Sequence, residues 1–193
     1  MRNENVLWLA KAIMCLVNHK EASLGSKGAQ VLLHLDEHFA FSYPAKANAG
    51  TIAKETGVNH VVVRSILKAL EKCKLLDVEG GGKGRRSWDQ KIRLRLDRNE
   101  NSCALDAEKM RWFVDAYMDL VKKGEAGTRR AHVLFELAKH ADEEGVVSVS
   151  MAAIAREFGV NRVTVFRIIK KLEELGIVKR ENGKIVLVGL GKE

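Results

Sequence analysis

Apolar positions recur at helical spacing in two stretches that resemble each other. Ala29, Leu32, Leu33 and Leu35 follow Ser26 at intervals of three and four, and Ala131, Leu134, Phe135 and Leu137 follow Thr128 in the same way. Ser26 and Thr128 are expected to cap these helices, because a hydroxyl there can accept a free N–H of the first turn. Asn48 and Ser150 open a second, shorter pattern that stops at Gly57 and Gly159. Asn59 and Asn161 open a third, with Val63, Ile66, Leu67 and Leu70 on one stripe and Val165, Ile168, Ile169 and Leu172 on its counterpart. The period then changes to two. In the first copy Leu75-Leu76-Asp77-Val78 leads to Gly80-Gly81-Gly82-Lys83-Gly84, and the chain returns through Trp88, Gln90, Ile92, Leu94 and Leu96. Lys91, Arg93 and Arg95 fall on the opposite side of that strand. In the second copy Ile177-Val178-Lys179-Arg180 reaches Asn182-Gly183, a type I′ hairpin signal, and returns as Ile185-Val186-Leu187-Val188.

The likeness is an internal repeat. Shifting the chain by 102 positions lays 26–78 over 128–180 without a gap, and 17 of 53 pairs are identical, the glycine turns and asparagine caps included. One further helical pattern precedes each copy, at 4–20 and 106–123. The polar, aperiodic segment 98–102 separates the halves. The expected fold is mainly α with small β-hairpins, as two tandem domains at 1–98 and 106–193 joined by a linker at 99–105. Each half is long enough for a small core of its own.

Charge sharpens this picture. The 193 residues carry 33 Lys plus Arg against 25 Asp plus Glu, a net +8. Residues 1–100 hold 17 basic and 11 acidic groups, and 101–193 hold 16 and 14. Within 83–95, six basic groups face Asp89 alone, so that segment accounts for +5. Such clustering on a hairpin points to a polyanionic partner. Three cysteines, Cys15, Cys73 and Cys103, are an odd number with no close spacing, which excludes a disulfide framework and a CxxC metal site. Cys73 reads as a small apolar residue at a helix end. With no signal peptide and no membrane-spanning run evident, the expectation is a soluble cytoplasmic protein.

The stretch 52–64 reads Ile-Ala-Lys-Glu-Thr-Gly-Val-Asn-His-Val-Val-Val-Arg, and 154–167 reads Ile-Ala-Arg-Glu-Phe-Gly-Val-Asn-Arg-Val-Thr-Val-Phe-Arg. Both resemble the helix-turn-helix of winged-helix DNA-binding regulators, and Leu-Glu-Glu-Leu-Gly-Ile-Val at 172–178 matches the segment that comes next in that family. The first copy departs from the pattern at Ser65 and at Cys73-Lys74. The pairing of two such units is also similar to plasmid replication initiators.

The resemblance implies a third helix in each copy that enters a major groove, which is wide enough for one α-helix. Helical geometry turns Val61, Ser65, Lys68 and Lys72 outward in the first copy with Arg64 at the edge. It turns Val163, Arg167, Lys170 and Glu174 outward in the second, flanked by Thr164 and Phe166. The candidate DNA-binding residues are therefore Asn59, His60, Val61, Arg64, Ser65 and Lys68, then Asn161, Arg162, Val163, Thr164, Arg167, Lys170 and Lys171. Lys83, Arg85, Arg86, Lys91 and Arg93 of the first hairpin join them, as do Arg180 and Lys184 of the second. Arginine suits guanine, and Val or Thr suits a thymine methyl. Two placements of Val61 and Val163 stay open: facing DNA, or packed on the preceding helix.

The expected function is sequence-specific binding of double-stranded DNA, as a transcriptional regulator. The first half would supply electrostatic grip and the second base reading. A plasmid or phage replication or partition factor is the alternative, or a winged-helix scaffold that binds protein. The helices at 4–20 and 106–123 are expected to pack between the halves or to form a homodimer. No cofactor, metal or enzymatic role is expected. His34-Leu-Asp-Glu-His38 matches a zinc-peptidase pattern, but the second copy shows Glu136-Leu-Ala-Lys-His140 at that place, so a solvated helix face is the simpler reading.

Overall fold

Each half of the chain begins with an amphipathic helix that the repeat does not include. In the computed structural model, which describes residues 3–18, 25–38, 45–80, 91–95, 105–157 and 159–191, these are α1 (Asn3–Asn18) and α5 (Ala107–Lys122). Asp106 caps α5 by accepting the Lys109 N–H at 2.9 Å. The repeat then appears twice in the same order. The first copy runs α2 (Ser26–His38), β1 (Ala45–Lys46), α3 (Ala49–Thr56), α4 (His60–Lys72), β2 (Leu76–Glu79) and β3 (Lys91–Leu94). The second runs α6 (Thr128–Lys139), β4 (Val146–Val147), α7 (Met151–Glu157), α8 (Arg162–Glu174), β5 (Val178–Glu181) and β6 (Lys184–Leu187).

Both sheets have one topology. The last strand lies in the middle, giving orders β1-β3-β2 and β4-β6-β5, with every pairing antiparallel. The outer strands β1 and β4 are two residues long, too short to leave a period-two pattern, and the sequence did not disclose them. The β5–β6 turn has Asn182 at φ 50° and Gly183 at φ 78°, as a type I′ turn requires. In β3, Ile92 and Leu94 are buried while Lys91 is exposed and Arg93 half-buried, with Arg95 exposed just beyond the strand, the alternation read from the sequence.

Two expectations need correction. Ser26 and Thr128 are the first residues of their helices rather than the caps, and α6 is capped by Gly127, which offers no side-chain acceptor. Cys73 is no apolar core residue. It sits exposed at the C-cap of α4, bonded as a disulfide to Cys15 of α1, 58 residues away in sequence. Spacing rules could not see this pair, because only the crossing of α1 over α4 brings the two sulfurs together.

The halves do not have separate cores. Buried apolar side chains of both form one continuous cluster, and α1 lies against α5 and α6 as well as α2 and α4. The helix preceding the first copy therefore packs between the two copies. Trp8, fully buried on α1, donates its indole N–H to the Leu75 carbonyl at 2.9 Å, tying α1 to the start of β2. Trp112 of α5 does the same to the Val188 carbonyl at 3.0 Å. Both tryptophans pack in the apolar interior, while Trp88 lies outside the described residues.

Candidate nucleic-acid interface

In both copies a short helix, a tight turn and a longer helix are fixed by the same local chemistry. The Asn48 side chain accepts the N–H groups of Gly50 and Thr51 at 2.8 and 3.0 Å, and Thr51 Oγ1 accepts the Asn48 N–H at 2.9 Å. This is a reciprocal box that starts α3. Ser150 plays the capping part for α7 by accepting the Ala153 N–H at 3.2 Å. The chain then turns through the left-handed conformation at Gly57 (φ 68°) and Gly159 (φ 60°), which costs glycine no Cβ clash. Asn59 and Asn161 each accept the N–H two residues on, at 2.8 Å, and start α4 and α8.

The buried stripes of these two helices match the sequence pattern. Val63, Ile66, Leu67 and Leu70 of α4 and Val165, Ile168, Ile169 and Leu172 of α8 face the core. Opposite them, the solvent face of α4 presents His60, Val61, Arg64 and Lys68, with Ser65 half-buried at its side. That of α8 presents Arg162, Val163, Phe166, Arg167 and Lys170, with Thr164 half-buried. Val61 is 63% exposed and Val163 52%, so neither packs on the preceding helix, and of the two placements the sequence left open the structure selects the outward one. Phe166, 43% exposed, extends the apolar strip on α8. Single exposed valines are ordinary on protein surfaces; here the exposed valine recurs at the same position of both helices.

Cations surround both strips. Among the described residues, Arg64 and Lys68 on α4 and Arg162, Arg167 and Lys170 on α8 have no acidic partner, and neither do Lys91 and Lys184 on the hairpins. Other candidates are already engaged. Lys171 pairs with Glu125 at 3.7 Å and Glu174 at 3.3 Å, on the side of α8 toward the α5–α6 connection. Arg180 lies 5.6 Å over the Phe166 ring with Glu173 at 3.5 Å, so it braces α8 instead of extending from the hairpin. Arg93 lies 3.1 Å from Asp77 and 3.8 Å from Glu79, and Arg95 also bonds Asp77. Strand pairing places these acids opposite the basic row, which counting along 83–95 could not register. Among the described residues of the first hairpin, Lys91 is the one cation without an acidic partner. Lys83, Arg85 and Arg86 lie outside the described residues.

One feature of the interface escaped the sequence reading. Between the start of α6 and the side of α8 runs a groove of about 520 Å³ lined by Gly127, Thr128, Arg129, Arg130, Thr164, Arg167 and Ile168. Arg130 is held by Glu125, through the carboxylate and the backbone carbonyl, both at 2.7 Å. Arg129 and Arg167 have no acidic partner among the described residues. Because the cap is glycine, the first N–H groups of α6 lack a side-chain acceptor, and the groove gathers these donors beside two unpaired guanidinium groups. Nothing along the chain links Arg129 to Arg167 at a separation of 38 residues; only the packing of α6 on α8 does.

A second polar cluster has a different character. Glu136 of α6, 5% exposed, lies with His140 and with Glu157 of α7, their ligand-type atoms within 4.8 Å of one another. Lys139 fills the place a cation would take, at 3.2 Å from Glu136 and 3.3 Å from Glu157. Burial pushes the Glu136 carboxyl above its ordinary value. A hydrogen bond with Glu136, and then one with Lys139, holds Glu157 down to about 2. In the first copy His34 reaches Glu55 at 3.1 Å, a carboxylate from another helix that the sequence reading did not connect to the His34–His38 pair. Each cluster braces its first and second helices.

Residues 128–191 match the model of the Crp-like helix-turn-helix domain. No curated protein matches the chain, and among the described residues no helix is long and apolar enough to cross a membrane. The matched segment takes in α6, α7, α8 and the β5–β6 hairpin, the elements that present Val163, Arg167 and the Arg129 groove. Over residues 128–191 the chain is thus similar to a Crp-like helix-turn-helix domain.

Proposed function

We propose that the protein is a sequence-specific double-stranded DNA-binding regulator of transcription in which both halves are winged-helix units. Residues 1–98 and 106–193 form the two units, with 99–105 between them, and α4 and α8 are the two reading helices. The observation that carries this is the repeated solvent face: an exposed valine at the second position of each helix, Val61 and Val163, flanked by cations that no acid among the described residues neutralises. A duplex supplies both missing partners, thymine methyls for the valines and phosphates or guanine edges for the cations. Arg167 and Val163 read bases. Lys68, Lys170 and the Arg129 groove hold the backbone, joined by Lys83, Arg85 and Arg86 of the first hairpin. The continuous core supports action as a covalent pair, in which one bound half raises the local concentration of the other. The protein works as a binding module without cofactor, metal or catalytic group, on DNA in the cytoplasm.

Selection of bound duplexes from a random library tests the reading. A single enriched site with two separated conserved blocks is expected. An array of iterated sites would instead favour a replication or partition factor. Failure to bind any duplex at low salt would overturn DNA binding altogether and leave the protein scaffold.

A further inference from the structure

Cys15 and Cys73 join two elements whose relative position matters for the reading above. Cys73 is the C-cap of α4, the reading helix of the first half, and Cys15 lies on α1, which also packs against α5 and α6 of the second half. Their bond ties the end of α4, through α1, to the other half of the molecule. A nearby acceptor would receive the Cys15 thiol on reduction. Cys15 Sγ lies 3.4 Å from the Ala69 carbonyl of α4, to which a thiol can donate, and the same carbonyl accepts the Cys73 N–H at 3.0 Å. Cys73 is the exposed residue of the pair and Cys15 the partly buried one. Lys72 and Lys74 flank Cys73 in sequence at the C-terminal end of α4.

We propose that Cys15 and Cys73 form a reversible oxidation site that takes hydrogen peroxide as oxidant and adjusts the DNA affinity of the protein. This rests on the DNA-binding reading and adds its regulation. The Cys73 thiolate attacks one peroxide oxygen and the O–O bond breaks. Cys73 becomes a sulfenic acid, and the departing hydroxide takes a proton to leave as water. The Cys15 thiol, giving up its proton, attacks the Cys73 sulfur. The S–S bond forms, the S–O bond breaks and a second water leaves. Two thiols have lost two electrons in total and one peroxide has gained them. A dithiol reductant reverses the step through a mixed disulfide. In a reducing compartment such a pair is a transient switch rather than a permanent staple. Oxidation fixes α4 against α1 and so against the second half, and less motion is lost when both reading helices engage one site. The oxidised form is therefore the tighter binder, by about three- to tenfold.

The test uses the full chain with Cys103→Ser, so that two thiols remain. Protein treated with dithiothreitol or with stoichiometric peroxide is compared by mass, by free-thiol count and by binding to the selected duplex. Peroxide is expected to remove two hydrogens and both thiols and to tighten binding by that factor. Dithiothreitol should restore the starting affinity, and Cys15→Ser and Cys73→Ser should each bind at the reduced value and ignore peroxide. Retention of both thiols after peroxide, unchanged affinity with the disulfide formed, or a peroxide response surviving in Cys15→Ser would each overturn the proposal while leaving DNA binding intact. If neither redox form binds any duplex, the DNA-binding reading fails and this regulation with it, whatever the thiol count shows.

Discussion

Arg129 and Arg167 line one groove but have different tasks in the proposed interface, and replacing each by alanine separates them. Both are exposed, and neither has an acidic partner among the described residues, so folding should change by no more than about 0.5 kcal/mol. In a chain of this size that is a melting shift of about 1–2 °C. Arg167 lies on the outward face of α8 beside Val163, where a guanidinium can bond a guanine edge twice. Loss of such a pair costs about 1–3 kcal/mol, or about 5- to 150-fold in affinity, and the cost is confined to one base pair. Duplexes already altered at that pair should be bound almost equally by wild type and Arg167→Ala. Arg129 stands at the uncapped start of α6, where donors converge as they would on a phosphate. Arg129→Ala should weaken binding to every duplex alike. It should also reduce the slope of log affinity against log salt by about 0.9, which between 50 and 200 mM salt amounts to about 3.5-fold. Fluorescence anisotropy on the selected site, single-base variants and random duplex at several salt concentrations measures both effects. A uniform loss in Arg167→Ala, or a changed base preference in Arg129→Ala, would refute the assignment.

Other perturbations probe the scaffold. Trp8→Phe removes the indole hydrogen bond to Leu75, whose carbonyl keeps the Arg95 N–H at 2.9 Å, so the loss should stay near 1–2 kcal/mol; Trp8→Ala, which also opens a cavity, should cost about 3–5 kcal/mol by denaturant titration. Gly191→Ala places a Cβ 2.3 Å from the Glu143 carbonyl oxygen at φ 71°, and should lower stability by more than about 1 kcal/mol, seen as a lower melting temperature. Glu136 is held above its ordinary carboxyl value by burial, so its contribution is fully present below about pH 4.5 and is lost as pH rises through its value in the fold. Glu136→Gln, which mimics the protonated form, should therefore have a flatter melting profile above pH 4.5 and converge with wild type below it. Glu157 has the opposite sign: held down to about 2, it supports the fold above about pH 4.5 and loses that support as pH falls toward 2. The acid limb of the profile should accordingly soften in Glu157→Gln.

By itself the sequence determined the helices, most of their caps and turns, and the outward faces of α4 and α8, because each depends on neighbours within a few positions. Asn59 and Asn161 cap the helices they precede, Gly57 and Gly159 turn where no Cβ interferes, and a 3.6-residue period separates Val63 from Val61. The gap-free repeat exposed the duplicated element order for the same reason. The tertiary structure alone decided which groups meet across long separations. It brought Cys15 to Cys73 and Arg129 beside Arg167, set Asp77 against Arg93 and Arg95, and moved Arg180 onto Phe166. Charge counted along the chain assigned the first hairpin a larger free excess than its foot retains, since a strand partner's carboxylate neutralises a guanidinium from 16 or 18 residues away. Packing of α1 on α5 and α6 likewise joined two expected cores into one. Contacts of this kind depend on how preformed elements dock, and no local period or propensity encodes that.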